Sequence, residues 1–96
     1  PGRPGATNVI DRAGKLVGIF TDGDFRRLAE QGHIELGNAV SSVMAKRPRT
    51  IGPDELVLTA AAMMRETKVD QLPVVDSHGR PVGLVDVQDL LAARVV

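Results

Sequence analysis

Thr21, Asp22 and Asp24 place a hydroxyl and two carboxylates within four positions, directly after the apolar run Gly18-Ile19-Phe20. The pattern apolar-Thr-x-x-Asp suits the point where a strand turns into a helix. A helix start offers unpaired N–H groups and a partial positive charge to an anion. A carboxylate there accepts both hydrogens of a vicinal diol. The same four residues also spell a capping box, in which Thr21 and Asp24 satisfy each other's backbone donors. The two roles are compatible, because a capped helix end still exposes N–H groups. Asp86 and Asp89 stand at a second helix start. Paired carboxylates can do acid–base work, but at two helix starts capping explains them better. His33 and His78 lie far apart in loop-like contexts, without metal-ligand spacing to another His or Glu. Gly2 to Gly5 is too short for a P-loop and lacks its Gly-Lys-Ser/Thr ending, and no G-x-S-x-G elbow occurs. The residues therefore point to ligand binding, with no catalytic and no metal-ligating group.

The elements that carry these residues come from an internal repeat. A shift of 65 positions aligns Val9–Asp24 with Val74–Asp89 without gaps, and six of the 16 positions are identical. Each copy reads as strand, tight turn, strand, helix. Asp11-x-x-Gly14 and Asp76-x-x-Gly79 are turn chemistry, the Asp side chain capping the turn and Gly supplying a positive φ. The apolar runs that follow, Leu16 to Phe20 and Val82 to Val85, close antiparallel hairpins. Helices are expected over Asp22 to Gln31 and Val87 to Arg94.

Between the copies, Pro53-Asp54-Glu55 is a helix-start signal with Asp54 as N-cap. The helix runs from Leu56 to Thr67, with Ala60, Met63 and Met64 on its apolar face. Arg49-Thr50-Ile51 reads as a short strand, and about Ala39 to Ala45 as a short helix. The organisation is then a first motif over 1–36, a linker with a short helix over 37–49, and a β-α-β-β-α motif over 50–96. The first motif is expected to lack the opening strand and helix of the second. The N-terminal Pro-Gly-Arg-Pro-Gly reads as a flexible edge.

Composition narrows the function classes. The 96 residues suffice for one compact domain, and 12 Lys and Arg balance 12 Asp and Glu. A basic field for nucleic acid is absent. With aromatics at 2% there is no stacking platform for single strands. The local cluster Lys46, Arg47 and Arg49 reads either as a solvated linker or as an anion contact near a ligand site. Without cysteine there is no disulfide, thiol catalysis or Cys-ligated zinc. The longest apolar stretch, Val57 to Met64, is interrupted by Thr59 and too short to span a bilayer. No signal peptide opens the chain, so the expected location is the cytoplasm. Met44, Met63 and Met64 are read as core filler.

The β-α-β-β-α unit with Leu72-Pro73-Val74-Val75-Asp76 before its hairpin resembles a CBS (cystathionine-β-synthase) motif. The lead-in of Val43, Met44, Ala45, Pro48, Thr50 and Ile51 resembles it too, and two copies at this spacing resemble a CBS pair. The resemblance implies an α+β fold of two motifs related by a pseudo-twofold axis. Gly18 to Leu28, G-I-F-T-D-G-D-F-R-R-L, is similar to the CBS segment of bacterial arabinose-5-phosphate isomerases, and Asp89 to Ala93 fits that family as well. These are sugar isomerases of the pathway to 3-deoxy-octulosonate, a lipopolysaccharide sugar. Their catalysis resides in a separate N-terminal sugar-isomerase (SIS) domain.

In CBS families that accept nucleotides, the Thr hydroxyl contacts phosphate and the Asp contacts ribose hydroxyls. The resemblance thus implies a ligand site of Thr21 and Asp24 with Gly18, Ile19, Phe20 and Asp22. Asp86 replaces the Thr in the second copy, where a carboxylate repels phosphate and caps the helix instead, so at most one good site per pair is expected. Asp89 keeps the diol position but is expected to cap or pack. The family's cleft between motifs makes Thr50, Ile51, Gln71, Leu72 and Pro73 secondary candidates. Arg26, Arg27 and Lys68 add charge or, as the plainer reading, are solvated. No cofactor is required, and the candidate regulatory ligand is an adenine nucleotide or a cytidine-linked sugar. Two functions follow: a ligand-sensing module regulating an attached isomerase, or a structural dimerisation module. In the second, helix residues Leu90, Leu91 and Val95 form a CBS–CBS homodimer interface.

Overall fold

The computed structural model describes residues 5–32, 37 and 39–92. His33, residues 93 and 94 of the expected last helix, and Val95 lie outside the described residues. The chain divides into two compact units, Pro1–Pro48 and Arg49–Val96. Helices and antiparallel strands mix in both, which is the expected α+β class.

In the first unit, β1 (Ala6–Ile10) pairs antiparallel with β2 (Leu16–Thr21), and β2 runs directly into α1 (Asp22–Glu30). The turn is held by a single side chain. Asp11 Oδ1 accepts from the N–H groups of Ala13 and Lys15 at 2.9 and 3.0 Å, and Gly14 takes φ 85°. The repeat reproduces this. Asp76 Oδ1 accepts from His78 and Arg80 N–H at 2.8 and 3.0 Å, and Gly79 takes φ 79°. These donors hold the Asp76 carboxyl below its usual value, the Arg80 N–H contributing most.

The helix expected over Ala39 to Ala45 does not form. A single 3₁₀ turn spans Val40–Ser42, and Ala45–Lys46 is instead a short third strand, β3, paired antiparallel with β2. Gly18 explains the approach of this strand. Its missing side chain leaves the space that Met44 fills, with Met44 Cγ and Cε each 2.9 Å from where a Cβ would stand. Part of the stretch read as linker therefore extends the first unit's sheet, in the order β1-β2-β3.

In the second unit, α2 (Val57–Thr67) precedes the hairpin of β4 (Gln71–Val75) and β5 (Pro81–Asp86), followed by α3 (Val87–Ala92). The N-cap of α2 is Leu56, with no side-chain cap bond, and not Asp54. Pro53 and Asp54 are used in a turn two residues earlier, so the carboxylate is out of reach of the helix's first N–H groups. Ile51 makes one parallel bridge to Val74, donating to Pro73 O at 3.0 Å and accepting from Val75 N–H at 2.9 Å. The expected strand over Arg49 to Ile51 is reduced to that bridge.

The core of this unit is Ile51, Ala60, Ala61, Met64, Leu72 and Leu90. Ala60, Ala61 and Met64 lie on one face of α2, where two small residues let the helix approach closely. Met63 packs at the margin. Leu90 is only 7% exposed, so it serves its own unit's core and is not open to a second copy, as the dimerisation reading required. Leu91 stays exposed.

Candidate functional site

The last residue of β2 and the first turn of α1 bring Thr21 and Asp24 together. Thr21 has extended backbone and is the N-cap. Its Oγ1 accepts from Asp24 N–H at 3.0 Å, and Asp24 Oδ2 accepts from Thr21 N–H at 3.0 Å. The capping box is therefore formed, and it leaves chemistry to spare. Capping uses Thr21 Oγ1 as an acceptor, while its hydroxyl hydrogen goes to no described residue. Asp24 Oδ1 receives the Arg27 guanidinium, one turn along the helix, and the carboxylate retains further lone pairs.

Asp22 is set apart from this cluster. Its carboxylate faces solvent and Arg26, 3.8 Å away, and its N–H donates to Gly5 O at 3.0 Å. Gly18 and Ile19 are buried in β2 and Phe20 is half-buried. These three supply the rigid strand that aims Thr21, with Gly18 lying against Met44. Gly23 was not selected from the sequence, and Arg27 was read mainly as solvated. Yet a Cβ at Gly23 would lie 3.6 Å from Thr21 Oγ1 and 3.7 Å from Arg27 Nη1. A side chain at this position would thus stand in ordinary contact with both the hydroxyl and the guanidinium. Two sequence signals pointed there: the three-residue spacing from Asp24 to Arg27, and the loss of both Gly23 and Arg27 in the repeat, where Gln88 and Ala92 stand.

The equivalent junction in the second unit is closed upon itself. Asp86 is 7% exposed. Its Oδ1 caps α3 by accepting from Gln88 N–H at 2.8 Å, and its Oδ2 accepts from Gln71 Nε2 at 3.3 Å. Gln71 and Asp86 are register partners across the hairpin, whereas Thr21 faces Ala6. Of the secondary candidates, Ile51 and Leu72 place their side chains in the core and Pro73 is fully buried. Thr50 is half-buried, and Asp89 is exposed on α3. The second unit also has an open, mostly apolar cavity of about 370 Å³ beside Met64, Arg65, Lys68, Asp70, Val87 and Leu90. Of the residues considered for ligand chemistry it contains only Lys68, read from the sequence as mainly solvated. Lys46, Arg47 and Arg49 are exposed.

Comparison with known proteins places this geometry in a family setting. The family model of the CBS domain matches residues 40–96. Arabinose 5-phosphate isomerase KdsD of Pseudomonas aeruginosa is 40% identical over 92 residues, which cover 96% of this chain and 28% of that protein. The chain therefore spans little more than a quarter of this relative. The CBS domain pair of protein MJ0100, solved with 5′-methylthioadenosine and S-adenosyl-L-methionine, matches with a TM-score of 0.83 and 29% identity. That match covers 94% of this chain and 69% of the other. CBSX2 in complex with AMP matches with a TM-score of 0.75 and 28% identity, covering 94% and 70%.

Proposed function

This chain belongs to the CBS domain family, and we propose that its first unit binds a nucleotide-type ligand and that the module regulates an attached sugar-phosphate isomerase. The observation that carries the reading is the junction of β2 and α1. There a Thr21 hydroxyl hydrogen, an Asp24 carboxylate with spare lone pairs and the N-terminal end of a nine-residue helix converge. Thr21 and the helix start suit a phosphate, and Asp24 suits a ribose diol. Gly18, Ile19 and Phe20 hold the strand behind them. The likeness to structures that hold adenosine derivatives supports the ligand class.

The similarity to an arabinose 5-phosphate isomerase supports the parent enzyme. In this reading catalysis belongs to a SIS-type domain, the module pairs as a homodimer, and the protein works in the cytoplasm. Feedback logic selects an adenine nucleotide or the cytidine-linked end product as regulator. Its effect on the enzyme would be a coupling free energy of about 1–3 kcal/mol. Among the described residues no helix is long and apolar enough to cross a membrane.

The test is thermal unfolding of the chain with AMP, ATP, CMP and the cytidine-linked octulosonate sugar. A ligand that binds only the folded chain raises the melting temperature by mass action. A rise with one of them, abolished in Thr21→Ala relative to that variant's own ligand-free baseline, supports the sensor. No rise with any ligand removes it.

A structural dimerisation module is the second reading. It is favoured by three consecutive apolar residues at the start of α2, Leu56, Val57 and Leu58, which are 71%, 57% and 66% exposed. In that case Leu58→Glu converts a dimer to monomer and nucleotides have no effect.

A further inference from the structure

The cavity of the second unit is lined by α2, the turn that follows it and α3. Its volume of about 370 Å³ falls within the roughly 300–1,000 Å³ of small-molecule sites. The floor is apolar. Met64 and Leu90 are buried there, Val69 and Val87 are half-buried, and Ala61 contributes only a methyl group. The rim is charged. Arg65, Lys68 and Asp70 line the cavity and are exposed. Among the described residues neither Arg65 nor Lys68 forms an ion pair, with Asp70 or with any other carboxylate.

Lys68 stands at its place against a backbone cost. It is the C-cap of α2, at φ 57° and ψ 40°, and its N–H donates to Met64 O. A helix ordinarily places glycine in this left-handed conformation, which is unfavourable for a residue with a Cβ. A cation near a helix C-terminus offsets the negative end of the helix dipole, but Arg65 in the last turn of α2 already does so. Ending the helix therefore favours glycine, whereas a cation at the cavity rim requires a side chain. An outlier of this kind is a pointer to function.

We propose that this cavity binds a small amphipathic carboxylate, with its hydrocarbon part on Met64, Val87 and Leu90 and its head between Arg65 and Lys68. An apolar floor under two unpaired cations is complementary to such a molecule and to neither half of it alone. Asp70 on the same rim repels additional negative charge, which favours a singly charged head over a phosphate dianion. The cavity lies wholly in the second unit and shares no residue with the β2–α1 junction. The proposal is therefore independent of the nucleotide reading.

NMR titration of the whole chain with octanoate, read at the methyl signals of Met64, Val87 and Leu90, tests this. Octanoate should shift these signals saturably. Acetate, which lacks the tail, should bind at least about 100-fold more weakly. Octylammonium, which has the tail and the opposite charge, should bind at least about tenfold more weakly. Arg65→Gln and Lys68→Gly should each weaken octanoate about three- to tenfold. Lys68→Gly should at the same time melt at the wild-type temperature or above, because glycine suits the positive φ. Octylammonium binding as tightly as octanoate, or octanoate affinity unchanged in both variants, would mean an apolar surface without anion recognition and overturns the site. Absence of any shift at millimolar octanoate overturns it as well. Octyl phosphate binding more tightly than octanoate overturns the choice of carboxylate.

Discussion

Replacing Thr21 by Val, Ser and Ala separates the capping and ligand roles of one hydroxyl. Val keeps the volume and branching of the side chain and removes only its oxygen. The lost bond is the 3.0 Å acceptance from Asp24 N–H, whereas the reciprocal bond from Thr21 N–H to Asp24 Oδ2 survives. Loss of an N-cap oxygen costs about 1 kcal/mol. For a chain of this size that lowers the melting temperature by roughly 4–8 °C. A hydroxyl donating to a charged phosphate contributes about 1.5–3 kcal/mol to binding, so AMP or CMP affinity in Thr21→Val should fall roughly 10- to 100-fold. Thr21→Ser keeps the oxygen and should retain both quantities to within a few tenths of a kcal/mol, roughly the uncertainty of such estimates. Paired melting curves and calorimetric titrations read both effects on the same samples. Wild-type affinity in Thr21→Val would refute the hydroxyl contact. A loss in Ser with wild-type affinity in Val would mean that the methyl group packs on the ligand and the oxygen does not act.

The glycines of the two hairpins should respond oppositely to Ala. At Gly18 the new Cβ overlaps Met44, costing about 1–3 kcal/mol, and Met44→Ala in the same chain should recover part of the loss. At Gly83 the nearest atom is Val74 Cβ at 3.7 Å, so Gly83→Ala should unfold near wild type by urea titration. Leu72 is completely buried, and Leu72→Ala should cost about 2–5 kcal/mol, read as a lower urea midpoint at unchanged slope. Asp76 titrates below its usual value of 3.8 because backbone N–H groups stabilise its charged form. Its contribution is therefore complete above the unfolded value and is lost as pH falls through the lower folded one. The stability gap between wild type and Asp76→Asn should stay level from neutral pH to about 5 and narrow below about 4. A gap that does not narrow on acidification would assign the turn's strength to groups other than this carboxylate.

The features legible in the sequence are those whose causes lie within a few residues. Asp11 with Gly14 and Asp76 with Gly79 specify their turns locally, because one carboxylate satisfies two N–H groups and only glycine takes the positive φ easily. The Thr21–Asp24 box was legible for the same reason, as was the capping role of Asp86 once a Thr had been exchanged for a carboxylate, whereas its burial was not. Asp54 shows how narrow this legibility is. A correct helix-start composition misplaced the cap by two residues, since the chain used Pro53 and Asp54 for a turn. Ala39 to Ala45 failed for a non-local reason. Its composition suits a helix, but Ala45–Lys46 pairs with β2, and Gly18 gives Met44 the room to permit it.

By itself the sequence determined the two hairpins, their turns, the helices that follow them and the asymmetry between Thr21 and Asp86. Each follows from a local hydrogen bond, a backbone angle or a side-chain charge. Only the tertiary structure decided which apolar residues are buried. Leu90 and Phe25 occupy equivalent repeat positions, yet Leu90 lies in a core with Ala60, Ala61 and Met64 while Phe25 remains 49% exposed. It also decided that Arg27 folds back towards Thr21 and Asp24 over the space left by Gly23. Burial and side-chain direction are set by which surfaces meet in space, and a local pattern does not contain that information.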